Sequence, residues 1–209
     1  MKNSELVMGI DTHHLFIDPD FRFSGFMPNG QLVCRHWRKI KKHASFRYRG
    51  HCENDPEFKQ IIPYCVITTG DQIFSYQRLE NSGETRLHRQ YSIGVGGHIT
   101  PMPSTISIPD IIHQNMLREI TEEVCIEGLD EGRNPSDFAD MIGMINWNEE
   151  KVGSVHLGLV YHVALPEGCT VEVRETDKLQ GALRPILGLT QQPVWETWSA
   201  LVLDAFSFD

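Results

Sequence analysis

The sequence predicts an α/β sandwich around a mixed sheet. Three observations carry that reading. β-Branched runs recur on both sides of one central helical segment, a Gly70-Asp71 pair stands where two such runs can fold back on each other, and WETWSALVLDAF near the end has amphipathic helical spacing.

The elements follow in order. Residues 1–59 read as an irregular N-terminal arm, with LVMGI and the phenylalanines 16, 21, 23 and 26 as short strands or a covering surface. Gln31 to Lys42 reads as a helix ending in the basic stretch RHWRKIKK, and RYRGHCENDPEF as a polar connection. The main domain spans 60–209. IIPYCVITT and QIFSYQRL flank the Gly70-Asp71 turn as a hairpin. ENSGETRLHRQ is a loop, YSIGVGGHI a short strand ending in glycines, and TPMPSTISIPD a loop again. Asp110 is placed to cap a helix running from about Ile111 to Ile126. FADMIGMINW and SVHLGLVYHVAL are strands on either side of the turn NEEKVG. Trp195 and Trp198 are assigned to the apolar face of the terminal helix, as core or dimer contact.

Composition narrows the class. With 209 residues, 40% of them hydrophobic, the chain can bury a substantial core. A net charge of -9 argues against binding a nucleic-acid polymer or an acidic membrane by bulk attraction. The five cysteines are scattered and contain no CxxC pair, which reads as reduced thiols in a cytoplasmic protein. No apolar run approaches the roughly 18 residues that a bilayer span requires.

The chemistry concentrates on the central helix. At about 100° per residue from Ile112, the side chains of Met116, Ile120 and Val124 fall near 40°, 80° and 120°, an apolar stripe for the core. On the same scale Glu119, Glu122 and Glu123 fall near 340°, 280° and 20°, crowding three carboxylates into one arc. Like charges at i,i+4 cost about 0.2–0.5 kcal/mol per pair unless a cation offsets them. Arg118 is the internal cation, and a hard divalent ion with oxygen ligands is the other way to relieve the repulsion. A solvated acidic face is the plain alternative. The upstream Gly94-Val95-Gly96-Gly97 adds backbone that can approach an ion or phosphate closely.

Glycine followed by R-E-I-T-E-E-V-C-I resembles the signature of the Nudix family. Gly97 matches the signature's first glycine; Arg118, Glu119, Ile120, Glu122, Glu123 and Ile126 match its second half in spacing. Two departures stand out. Asp110 replaces a glutamate and is separated from Gly97 by twelve residues instead of five, and Cys125 replaces the late glycine. The longer loop is tolerable because closure entropy grows slowly with length. Over roughly residues 54–206, the segments DPEFKQIIPYCVI, LHRQYSIGVGGHI and VGSVHLGLVYHV also resemble a bacterial Nudix subgroup described as predicted phosphoesterases.

The resemblance implies a Nudix-type α/β/α sandwich and Mg²⁺- or Mn²⁺-dependent hydrolysis of a diphosphate linkage, with a phosphorylated, nucleotide-like small molecule as substrate. It assigns Glu119, Glu122 and Glu123 to the metal, with the carbonyl of Gly97 or Gly96 completing the shell. The alternative role for Glu119 is to orient or deprotonate the water, and Arg118 holds the carboxylates in place through Asp110 and one of the glutamates. A further acid from a later loop is expected, Glu175 ahead of Asp177, Glu149 and Glu150. Arg78, Arg86 and His88, with Arg89 beside them, are candidates for substrate phosphates. His98 and His156 are read as satisfied strand histidines. A Nudix-fold nucleotide-binding or regulatory module without catalysis is the alternative, disfavoured because all three box glutamates are present. An isoprenyl diphosphate isomerase would need a suitably placed cysteine and acid, and neither Cys65 nor Cys125 has that spacing. The arm and terminal helix are candidate homodimer contacts.

Overall fold

In the computed structural model, the residues described are 4–79, 90–174, 176–177, 179–189 and 194–205. In chain order they form β1 (Leu6–Asp11), α1 (Thr12–Leu15), β2 (Gly25–Pro28), α2 (Gln31–His43), β3 (Ser45–Tyr48), α3 (Arg49–Cys52), β4 (Phe58–Thr69) and β5 (Gln72–Arg78). Then come β6 (Tyr91–Ser92), β7 (Gly94–Val95), α4 (Ile108–Glu123), β8 (Val124–Glu127), β9 (Ala139–Asn146), α5 (Lys151–Ser154), β10 (His156–Leu165), β11 (Thr170–Val173), β12 (Leu179–Pro185) and α6 (Thr197–Ala205). The class is the predicted one: α/β, with a large sheet whose principal strand order is β12-β5-β4-β10-β9-β2. No helix among the described residues is long and apolar enough to cross a membrane.

The chain forms two compact units, and β4, α4, β9 and β10 each contribute residues to both. The first comprises 1–64, 97–116 and 141–160. Its N-terminal segment is more regular than the expected arm, because β1 finds partners on both edges. Leu6 to Gly9 pair with β3, and Gly9 to Asp11 pair with the start of β4. Gly9 lies so close to β4 that a Cβ there would sit 2.6 Å from the Lys59 carbonyl oxygen. Val7, Met8, Ile10, Phe58 and Ile61 are fully buried. The predicted helix over 31–42 is α2, which buries Val33, His36 and Ile40 on one face, at helical spacing.

The second unit comprises 65–96, 117–140 and 161–209. The predicted hairpin is there. Thr69 pairs with Gln72 across Gly70-Asp71, and Gly70 takes a φ of 54°, a left-handed conformation that glycine adopts without strain. β5 lies between β4 and β12, with Tyr76 opposite Gly181.

Helix α4 differs from its expected span at both ends. It begins at Ile108 because Ser107 takes the capping role: its carbonyl accepts the Ile111 amide at 2.9 Å, and its hydroxyl donates to the Asp110 carboxylate at 2.5 Å. Asp110 is therefore a first-turn residue. The helix stops at Glu123 because the β-branched Val124 and Ile126 favour a strand and have a waiting partner, Val173 to Val171 of β11. Cys125 accordingly sits on a strand, opposite Glu172. The predicted stripe of Ile112, Met116, Ile120 and Val124 is buried throughout.

Candidate active site

The box residues 117–123 form the last two turns of α4, within the second unit. Arg118 divides its guanidinium between two of the three glutamates. Nη2 donates to Glu119 at 2.7 Å, and Nη1 donates to Glu122 at 3.1 Å. The two carboxylates differ in setting: the Glu119 side chain is 12% exposed and that of Glu122 is 58% exposed. Burial works against the charge on Arg118, but Glu119 and Glu122 outweigh it and hold the guanidinium more firmly protonated than usual. Thr121, between them, turns its hydroxyl back to the Leu117 and Arg118 carbonyls at 2.9 Å, so it takes no outward role.

The glycine strand is built beside β4 and β5. Gly94 and Val95 pair with Val66 and Cys65, and the Tyr76 hydroxyl donates to the Gly94 carbonyl at 2.9 Å. Arg78 donates to that same hydroxyl oxygen at 3.2 Å and lies 5.4 Å from the ring centroid. Burial raises the Tyr76 phenol well above its ordinary range; Arg78 opposes the rise and Glu123 adds to it. Burial likewise pushes the Cys65 thiol far up, with the charges of Glu123 and Glu119 contributing. Cys65 is therefore a neutral thiol, unsuited to nucleophilic chemistry.

The far end of the box is pinned from β11. The Arg174 amide donates to the Glu123 carbonyl at 2.9 Å, and its guanidinium Nε donates to the Val124 carbonyl at 3.1 Å. Sequence reasoning missed Arg174; a lone arginine after a short strand carries no signal for that role. It also missed Glu196, whose carboxylate accepts the Trp198 amide at 3.1 Å and the Ser199 amide at 3.0 Å, capping α6. Ser199 in turn accepts the Ile93 amide at 3.0 Å, joining α6 to the glycine strand. Trp195 precedes α6, with its ring 5.9 Å from that of Tyr91.

In the first unit, Gly97 opens the segment that leads to α4, and only the family resemblance assigns its carbonyl to a metal. That segment is tied to the first half of α4 by Asn115. Its amide oxygen accepts the Thr100 amide at 2.9 Å, and its nitrogen donates to the Thr100 carbonyl at 3.2 Å and the Ile111 carbonyl at 2.9 Å. His98 and His156 come together, with Nε2 atoms 3.3 Å apart. Glu149, Glu150 and Asp177 are exposed, and Arg86, His88, Arg89 and Glu175 lie outside the described residues.

No protein-family model matches the chain. Protein YmaB of Bacillus subtilis (strain 168) is 32% identical over 206 residues, covering 97% of this chain and 98% of its own. The crystal structure of Tm1382, described as a candidate Nudix hydrolase, superposes with a TM-score of 0.75 at 25% identity, covering 97% of this chain and 100% of that one. A MutT Nudix hydrolase from Burkholderia pseudomallei superposes at 0.47 with 16% identity over 70% of this chain and 97% of its own, too distant to carry any of the assignment. Box spacing, fold and full-length superposition agree: the chain belongs to the Nudix family and, through near full-length identity, to the family of protein YmaB.

Proposed function

We propose that the chain is a divalent-metal-dependent hydrolase that cleaves the diphosphate linkage of a nucleotide-like small molecule. The observation that carries the reading is the Arg118 clamp on Glu119 and Glu122, which orders two carboxylates on one helix face while leaving the trio short of positive charge. Three carboxylates against one guanidinium leave a formal charge of two negatives. The donors are all carboxylate oxygens, as Mg²⁺ or Mn²⁺ prefers.

Glu119, Glu122 and Glu123 are the residues that would hold the ion. When bound, such an ion supplies acidity to a coordinated water and positive charge to the phosphoryl oxygens. The chain's own groups do the rest. Arg118 holds Glu119 in one rotamer against the repulsion of its neighbours. Glu119 accepts the proton as water oxygen bonds to phosphorus and the bridging P–O bond breaks. Glu175 is the second candidate for that proton, as the acid that the family resemblance expects from a loop beyond the box. Arg78, with Arg86 and His88, is proposed to receive the substrate phosphates. The net charge of -9 favours a small substrate met through a cation over an anionic polymer.

The test is a panel of nucleoside diphosphate derivatives assayed with Mg²⁺ and Mn²⁺ for release of phosphate-containing products. Turnover that is lost on chelation and restored by metal is the expected result. Nucleotide binding without turnover across the panel would sink the enzymatic reading.

A further inference from the structure

The first unit brings together a second set of ligating atoms, unrelated to the box helix in sequence. Glu53, His98 and His156 each offer one ligand atom, and these atoms all lie within 4.8 Å of one another. They come from the end of α3, the segment after β7 and the first residue of β10. From these groups we propose a second metal site, specific for a first-row transition ion such as Zn²⁺, held by His98 Nε2, His156 Nε2 and a Glu53 carboxylate oxygen.

The hydrogen bonding shows why an ion fits. His156 Nδ1 lies 2.7 Å from the Val152 carbonyl, which can only accept, so Nδ1 carries the proton and Nε2 presents a lone pair. That arrangement, one ring nitrogen donating to a backbone carbonyl and the other aimed inward, is how metal-bound histidines are oriented. His98 Nε2 lies 3.3 Å from the His156 lone pair and 3.1 Å from Gln60 Oε1. A single N–H is thus contested by two acceptors. The other end of the Gln60 amide, Nε2, is buried and has no hydrogen-bond partner among the described residues.

An ion in place of that proton resolves the competition. Zn–N bonds of about 2.0–2.1 Å at a tetrahedral centre set the nitrogens about 3.3–3.4 Å apart, which is the observed spacing. Arg49 engages Glu53 through Oε1 at 3.1 Å, and the side chain is 37% exposed, so the carboxylate can offer an oxygen inward without losing its ion pair. Two imidazoles and one carboxylate select Zn²⁺ or Fe²⁺ over Mg²⁺, which demands oxygen ligands. Three protein ligands also leave a fourth position for water or the Gln60 amide oxygen.

Full-length protein stripped with chelator and dialysed against Zn²⁺ in excess Mg²⁺ tests the assignment by metal analysis. One Zn²⁺ per chain is expected for the wild type and for the double variant Glu119→Gln/Glu122→Gln. His98→Ala and His156→Ala should each weaken binding on the order of tenfold or more. Should either fail the circular dichroism test for folding, His98→Gln and Glu53→Gln carry the experiment with the same expectation. Stoichiometric zinc in the histidine variants, loss of zinc in the box variant, or no zinc uptake by the wild type would each overturn the proposal.

Discussion

The two polar centres of this chain are made in opposite ways. In the second unit, Arg118, Glu119, Glu122 and Glu123 share two turns of one helix, are formally charged, and extend from a nearly buried carboxylate to one that is 58% exposed. In the first unit, Asn115, His36 and His156 are buried polar side chains drawn from distant segments and bonded to backbone carbonyls and amides. Charges at a helix surface relax into water when a partner is lost. Neutral polar groups in a core cannot, so their loss is felt by the fold. The second unit's cluster is accordingly the one whose substitution should change chemistry, and the first unit's network the one whose substitution should change stability.

Glu122→Gln probes the largest difference. It removes one proposed ligand with little change of shape, and turnover should fall at least about 100-fold, more than loss of an outer-shell partner alone. The melting temperature should stay within a few degrees of wild type; retained turnover would break the metal assignment. Arg118→Lys comes next. A lysine cannot grip two carboxylates with a planar fork, so activity should fall about 10- to 100-fold while far-ultraviolet circular dichroism is unchanged.

Asn115→Leu reverses the pattern. The Thr100 amide loses its acceptor in a buried setting, and denaturant titration should show about 1–3 kcal/mol of lost stability. Gly9→Ala should cost a similar amount, about 1–3 kcal/mol, by forcing β1 away from the Lys59 carbonyl. Were Asn115→Leu to leave stability intact while activity collapsed, the contrast between the two centres would not hold.

The smallest effect is a pH dependence. His36 is buried, with Nε2 3.0 Å from the Phe21 carbonyl, and desolvation lowers its proton affinity below the ordinary histidine value. The unfolded chain then binds the proton more readily than the folded one. Stability is fully present above about pH 6.5 and falls as pH drops through the lowered folded value. Melting curves between pH 7 and pH 5 should show a smaller acid loss for His36→Phe than for wild type.

The box was readable because its chemistry is local. Residues at i, i+3 and i+4 share a helix face whatever the helix packs against, so Glu119, Glu122 and Glu123 could be grouped before any fold was known. The hairpin at Gly70-Asp71 and the buried stripe from Ile112 to Val124 were equally local, and both stand in the structure. The helix limits were not, because they depended on competitors. Ser107 outbid Asp110 for the cap, and β11 drew Val124 to Glu127 into a strand. The histidines show the same limit more sharply. His98 and His156 are 58 positions apart, and in the sequence each taken singly reads as an ordinary strand histidine.

The sequence by itself determined the family, the α/β class and the acidic helix face, because periodicity and short spacing are properties of a few adjacent residues. Tertiary structure alone decided which carboxylates Arg118 clamps, Glu119 and Glu122, that Arg174 pins the helix end, and that Glu53, His98 and His156 converge. Those outcomes depend on which rotamer a buried charge adopts and which distant strands pair. Both are settled by packing and desolvation across the whole chain, which no local pattern encodes.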